Sequence, residues 1–100
     1  MLNIKKTVLD GNAVFDLEGR LDTTTAPELE AELRNSLDGI EGLTLNFEKL
    51  EYISSAGLRV LLATQKRMAR QGAMKLTHVG ETIQEIFEVT GFSDILTIEA

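Results

Sequence analysis

The chain has 100 residues, of which 43% are hydrophobic and 26% are charged, so we expect one folded core rather than a disordered tail. Its 16 acidic and 10 basic residues give a net charge of -6, and an acidic chain without a basic stripe is expected to repel nucleic-acid phosphates. The absence of cysteine excludes disulfides, thiolate metal sites and thiol catalysis.

Nothing in the sequence indicates a linker, an internal repeat or an export signal. The amino terminus lacks the apolar run of a signal peptide, and no stretch approaches the roughly 18 apolar residues of a membrane span. We therefore expect a single domain over residues 1–100, located in the cytoplasm.

Two strands joined by a tight turn are predicted at the amino-terminal end. Alternating apolar and polar residues predict strands over Asn3–Leu9 and Asn12–Glu18. Asp10-Gly11 between them is typical of a two-residue hairpin turn, because glycine tolerates a positive φ. The first of these strands is a candidate exposed edge of the sheet.

The first helix is predicted to begin at a capping box. In Thr25-Ala26-Pro27-Glu28, the Thr25 hydroxyl is placed to accept an amide hydrogen bond and Glu28 to reach back. We expect Gly39 or Gly42 to end this helix. An apolar stripe at helical spacing consists of Ala26, Leu29, Leu33, Leu37 and Ile40.

The middle of the chain contains two strand-like runs followed by a second helix. The runs are Leu43–Phe47 and Leu50–Ile53, with a turn predicted at Glu48-Lys49. The helix is predicted from Ala56 to Gln71, with Gly72 as its cap.

The last third of the chain repeats the alternation of strand and helix. We predict a strand over Met74–Val79, a helix from the capping box Thr82-Ile83-Gln84-Glu85 to Gly91, and a final strand over Ile95–Ile98. After the opening hairpin, strands and helices therefore alternate. This pattern predicts an α/β fold with a mixed, mostly parallel sheet of about five strands and helices packed against it.

The sequence lacks the residues that most kinds of catalytic site require. His78 is the only histidine and is predicted inside a strand, where a structural role is the usual one. A triad of Ser55, His78 and Asp22 can be assembled only on paper, because Ser55 is not in a Gly-x-Ser-x-Gly elbow. No glycine-rich phosphate loop is present, and nothing selects a metal site or a cofactor.

Ser55 stands where a predicted strand ends and a predicted helix begins, and two interpretations of it are open. In the structural one, Ser55 is the N-cap and accepts a hydrogen bond from an amide two or three residues on. In the functional one, Ser55 is phosphorylated, because a helix amino terminus tolerates an anion. A phosphate would add about -1.5 to -2 charges and change the surface that a partner meets.

Three motifs, in the expected chain order, resemble those of the STAS-domain anti-sigma factor antagonists. Ser55-Ala56-Gly57-Leu58 resembles the family's phosphorylation loop from the modified serine onward. Gly19-Arg20-Leu21-Asp22 resembles the turn before its first helix, and Ile86–Phe92 resembles its last helix and exit. The sequence departs from the family at Ser54, where the usual residue is aspartate, and this leaves Ser54 as an alternative phosphorylation site.

The resemblance implies a protein-binding module that is not an enzyme. Family members bind an anti-sigma factor that is itself a GHKL-type serine kinase, and phosphorylation by that kinase weakens the complex. A metal-dependent serine phosphatase restores the binding form. By this resemblance Ser55 is the switch, and the partner-binding residues are Asp22, Thr23, Thr24, Ser54, Ala56, Gly57 and Arg59.

Two alternatives remain beside the phosphorylation switch. One is a constitutive scaffold module of the same fold, whose serine serves only as a cap. The other is a small-ligand-binding domain or an unrecognised hydrolase, for which a ligand alone would raise the melting temperature.

Overall fold

Residues 1–99 are described by a computed structural model, in which strands and helices alternate after an opening hairpin. Over this range the strands are β1 (Leu2–Leu9), β2 (Asn12–Leu21), β3 (Gly42–Ile53), β4 (Ala73–Thr77) and β5 (Ile98–Glu99). The helices are α1 (Ala26–Ser36), α2 (Ser55–Ala69) and α3 (Glu81–Thr90), and a short 3-10 helix, Phe92–Asp94, follows α3. None of these helices combines the length and the hydropathy that crossing a membrane requires.

The sheet has the strand order β1-β2-β3-β4-β5. β1 pairs antiparallel with β2, and every later pair is parallel, which confirms the predicted mixed and mostly parallel sheet. β1 is an edge strand, as predicted. The hairpin is also confirmed, because Asp10 (φ 50) and Gly11 (φ 81) both adopt the positive φ of a tight two-residue turn.

The hydrophobic core lies between one face of the sheet and the helices. Because β2 to β5 lie in chain order, right-handed crossovers place all three helices on the same side. Buried side chains accordingly alternate along the strands, and the rings of Phe47 and Phe87 lie 6.3 Å apart at their centroids. The predicted apolar stripe of α1 is buried throughout. The opposite face is polar, and there Asn46 donates a 2.8 Å hydrogen bond to Asp16.

The predicted turn at Glu48-Lys49 is wrong, because β3 runs unbroken from Gly42 to Ile53. The apolar alternation is interrupted there by irregular pairing with β2, in which Asp16 pairs with Asn46 but Glu18 pairs with Lys49. An extra residue in β3 moves the side chains out of the period of two. A bulge therefore produced the pattern that predicted a turn.

Both predicted capping boxes are also wrong. Neither α1 nor α3 has a side-chain hydrogen bond at its N-cap, and α3 begins at Glu81, one residue before the predicted box. Gly91 ends α3 as predicted, with a φ of 82. α1 ends at Ser36, before either glycine predicted to end it.

The ends of the last two strands differ from the prediction. β4 stops at Thr77, so that His78 lies in an exposed loop with a φ of 55 rather than inside a strand. β5 begins only at Ile98, because the chain is still turning after the 3-10 helix, where the amides of Ile95 and Leu96 donate to the carbonyl of Phe92. Leu96 lies in the loop before β5 and is buried. Its burial explains why this segment has the apolar composition of a strand.

Candidate functional site

The starts of α1 and α2 lie side by side at one edge of the sheet. β2 and β3 are parallel neighbours whose final residues, Leu21 and Ile53, are paired. The amide of Ser54 extends this pairing by donating a 2.9 Å hydrogen bond to the carbonyl of Leu21. The fold therefore places residues 22–25, here called the Asp22 turn, beside residues 54–57, here called the Ser55 loop.

The Asp22 turn is held by a dense set of hydrogen bonds. The Thr25 hydroxyl accepts from the amide of Asp22 at 2.8 Å and donates to the carbonyl of Arg20 at 2.8 Å. The Asp22 carboxylate accepts from the amides of Thr24, at 3.0 Å, and Thr25, at 3.1 Å. These bonds use side chains to pair backbone groups of the turn that precedes α1.

The same bonds change the acidity of Asp22. The Thr25 amide, with further help from the Thr24 amide and the Thr25 hydroxyl, lowers the pKa of Asp22 below its ordinary value of 3.8, although burial opposes the shift. Asp22 is therefore an anion at neutral pH, and its carboxylate is fixed in direction by the backbone of the turn.

The Ser55 loop carries few hydrogen bonds by comparison. Ser54, not Ser55, is the N-cap of α2, and its hydroxyl accepts from the amide of Gly57 at the long distance of 3.5 Å. The structural interpretation of Ser55 as the cap is therefore wrong. Ser55 is the first residue of α2 and is exposed, and within residues 1–99 its hydroxyl has no hydrogen-bond partner.

Packing against the sheet holds the Ser55 loop from below. Gly57 is buried, and a Cβ added there would lie 2.8 Å from Leu21 Cγ and 2.8 Å from Ile53 Cγ1. Only glycine lets the first turn of α2 approach the sheet this closely. Gly57, predicted as a contact residue, thus has a packing role that sets the height of Ser55.

A groove of about 200 Å³ separates the two helix starts. Its walls bring together three residues predicted to bind a partner, namely Thr23, Ala56 and Arg59. Thr24 is exposed in the adjoining turn, whereas Asp22 and Ser54 are half-buried. The groove is also lined by Ala26, Pro27, Glu30 and Val60, which the sequence did not single out.

The charges around the Ser55 loop favour an anion. α1 and α3 each have an acidic residue in the first turn, Glu28 and Glu81, whereas α2 has none. Carboxylates usually compensate the positive amino-terminal end of a helix dipole. The first turn of α2 supplies no such carboxylate, and the exposed cation Arg59 stands one turn further on.

Arg20 and Tyr52 form a pair beside this site that the sequence did not reveal. The guanidinium of Arg20 lies 4.3 Å from the centre of the Tyr52 ring, and its Nε is 3.8 Å from Asp22 Oδ2. The two residues are partners across β2 and β3. Their contact depends on the pairing register of β2 and β3. The bulge in β3 shifts that register, so the alternation of apolar residues in the sequence does not reveal the pair.

His78 is not part of this site. It lines a different groove, together with Gln84 and Ser93, and no hydrogen bond described for residues 1–99 joins it to Ser55 or Asp22. The structure does not assemble the triad considered from the sequence. Within the same residues, no three acidic or histidine side chains are grouped as metal ligands would be.

Comparisons with known proteins agree with this architecture. The STAS domain family matches residues 3–100. BtrV of Bordetella bronchiseptica is 37% identical over 92 residues, covering 90% of this chain and 79% of that protein. The anti-sigma-B factor antagonist of Staphylococcus aureus is 31% identical over 99 residues, covering 97% of this chain and 92% of that protein.

Solved structures of the anti-sigma factor antagonist SpoIIAA of Bacillus share the fold. The unphosphorylated form superposes with a TM-score of 0.77 and 18% identity, over 98% of this chain and 88% of that one. The phosphorylated form gives a TM-score of 0.75 and 19% identity, over 98% of this chain and 92% of that one.

Proposed function

The chain belongs to the STAS-domain family of anti-sigma factor antagonists, which are regulators rather than enzymes, and on that premise we propose that Ser55 is its phosphorylation switch. Unmodified, the protein binds and sequesters an anti-sigma factor that is a GHKL-type serine kinase. Phosphorylated on Ser55, it releases that kinase, and a metal-dependent serine phosphatase returns it to the binding form.

The observation that carries this proposal is the accessibility of the Ser55 hydroxyl. Ser55 is exposed on the first turn of α2, and its oxygen has no partner to give up within residues 1–99. A kinase reaches such an oxygen without unfolding the helix. In the transfer, Ser55 Oγ bonds to the γ-phosphorus of ATP and the bond to ADP breaks. The hydroxyl proton passes to a base of the kinase.

The fold is suited to accept the added charge. A phosphate brings about -1.5 to -2 charges, and at a helix start these face unpaired amides and the positive end of the helix dipole. No carboxylate lies in the first turn of α2 to repel it. Phosphorylation of Ser55 is therefore expected to leave the folded state intact and to act on binding instead.

Binding changes because Ser55 directly precedes Ala56, which lines the groove between the helix starts. In the unmodified protein, the groove is lined by the small side chains of Thr23 and Ala56 and by Arg59. A dianion placed there must be desolvated, or paired with a new cation, before a partner can cover it. The complex therefore weakens when Ser55 carries a phosphate.

Ser55 is a better acceptor than its neighbour. The Ser54 hydroxyl serves as the cap of α2 and its residue is half-buried, whereas Ser55 has neither constraint. We therefore propose Ser55 as the phosphorylation site, with Ser54 as the alternative. Because the proposed reaction uses ATP and an intracellular kinase, the proposed place of action is the cytoplasm.

Incubation with the cognate kinase anti-sigma factor and ATP, followed by intact-mass measurement, tests the assignment. Wild type and Ser54→Ala should each gain one phosphate, whereas Ser55→Ala should gain none. A phosphate on Ser55→Ala would move the switch to Ser54. No phosphate on any of the three proteins would favour the constitutive scaffold module.

A further inference from the structure

Arg59 lies one helical turn after Ser55 on the exposed side of α2. Side chains four residues apart on a helix have Cβ atoms about 5–6 Å apart. A long helical side chain also extends back over the turn before it. The guanidinium of Arg59 is therefore within reach of a phosphate on Ser55.

Arg59 is free to take such a partner. Within residues 1–99 it makes no ion pair, although five other pairs are present. Arg20, the other arginine beside the site, is already engaged, because it lies 4.3 Å from the Tyr52 ring centre and 3.8 Å from Asp22 Oδ2. Before phosphorylation, Arg20 therefore already has interaction partners, whereas Arg59 has no ion pair described for residues 1–99.

The nearby carboxylates have partners of their own. Glu30 lines the same groove as Arg59, but its Oε1 lies 3.7 Å from Arg34 Nη2. Asp22 accepts the amides of Thr24 and Thr25. Neither carboxylate depends on Arg59, so capturing a phosphate breaks no ion pair described for the protein.

We propose that Arg59 binds the phosphate of phosphorylated Ser55 across one turn of α2. This inference rests on the proposed function, since it requires a phosphate on Ser55. Its consequence is that one modification changes the surface twice. It adds a dianion, and it engages the guanidinium that a partner would otherwise meet at the border of the groove.

The experiment measures the phosphate directly. The full chain is prepared with phosphoserine at position 55 by chemical ligation, and the second ionisation of its phosphate is followed by phosphorus NMR at low salt. A bound guanidinium favours the dianion, so the phosphate pKa in Arg59→Gln should lie about 0.2 to 0.4 units above that of the wild type. Arg59→Lys, which keeps the charge, should recover part of the difference.

Arg70→Gln is the matched control, because it removes the same charge at the far end of α2. Its phosphate should titrate as in the wild type, and salt should reduce the wild-type shift. Identical titrations for wild type and Arg59→Gln would overturn the proposal. So would an equal effect of Arg70→Gln, which would indicate only net charge. Since the phosphate is installed by synthesis, a kinase that fails to modify Ser55 would refute the switch without changing this result.

Discussion

The starts of α1 and α2 are neighbours at the same edge of the sheet, but they are stabilised in different ways. At the Asp22 turn, the Thr25 hydroxyl and the Asp22 carboxylate partner backbone groups at 2.8 to 3.1 Å. At the Ser55 loop, a single side-chain bond of 3.5 Å caps the helix, and the buried Gly57 fixes its position from below.

This difference separates a rigid surface from a modifiable one. Hydrogen bonds at the Asp22 turn engage the Thr25 hydroxyl and the Asp22 carboxylate, so these two groups hold the shape of the turn. Packing beneath the Ser55 loop fixes the backbone through apolar contacts and leaves the hydroxyl above them unused. Our account predicts that variants in the two regions lose different properties.

The largest loss of stability is expected from Thr25→Val. The change keeps the shape but leaves the amide of Asp22 and the carbonyl of Arg20 without their 2.8 Å partner in a half-buried turn. We expect the free energy of unfolding to fall by about 2 kcal/mol, measured by urea denaturation. Thr24→Val, at an exposed position of the same turn, is the control and should change it by less than about 0.5 kcal/mol. Equal stability of the two variants would contradict the importance of these bonds.

Gly57→Ala tests the packing beneath α2. The new methyl group would lie 2.8 Å from atoms of Leu21 and Ile53, and both of those side chains are buried. Overpacking of this kind outweighs the better helix propensity of alanine, and we expect a net loss of about 1 to 2 kcal/mol in urea denaturation. Gly80→Ala, where an added Cβ meets nothing within 4 Å, should lose less.

The pH dependence of stability should depend on Asp22. Its pKa is lower in the folded protein than the ordinary value of 3.8, so its carboxylate contributes fully above that pH. The contribution is lost as the pH falls below 3.8, through the folded-state pKa, because the carboxylate is then protonated. Urea denaturation at pH 5 and pH 3 should show the stability difference between wild type and Asp22→Asn shrinking at the lower pH. A difference that stays constant would contradict the role of the charge.

The smallest effects are expected at the two serines. Ser54→Ala removes a cap bond of 3.5 Å and should cost about 0.5 kcal/mol in urea denaturation. Ser55→Ala removes a hydroxyl without a described partner and should change stability by less than about 0.5 kcal/mol in either direction. If Ser55→Ala were the more destabilised of the two, the distinction between cap and free acceptor would fail.

The sequence predicted the order of elements because helices and strands bury their apolar side chains at different periods. It placed Ser55 at the end of a strand, but β2 continues to Leu21, three residues beyond its predicted end, and only its parallel pairing with β3 brings the Asp22 turn beside the Ser55 loop. The details that failed depend on contacts between distant segments. The cap of α2 falls on Ser54, for example, because its amide pairs with the carbonyl of Leu21 and continues the sheet by one residue.

The sequence pattern also did not predict the hydrogen bonds that Thr25 makes to residues earlier in the chain. The Thr25 hydroxyl partners Asp22 and Arg20 rather than the helix that follows, so the capping-box pattern was present without the capping box. The pairing of Arg20 with Tyr52 depends on the register beyond the bulge in β3. Local pattern does not encode which strand residues face each other across an irregularity.

The affinity of the cognate kinase anti-sigma factor for four forms of the chain tests the central claim most directly. The forms are wild type, its Ser55 phosphoform, Ser55→Ala and Ser55→Asp, measured without ATP. Wild type and Ser55→Ala should bind alike, whereas the phosphoform should bind at least about tenfold more weakly, because an unpaired charge is costly to bury. Ser55→Asp should be weakened in the same direction. Equal affinity for all four forms would contradict the switch.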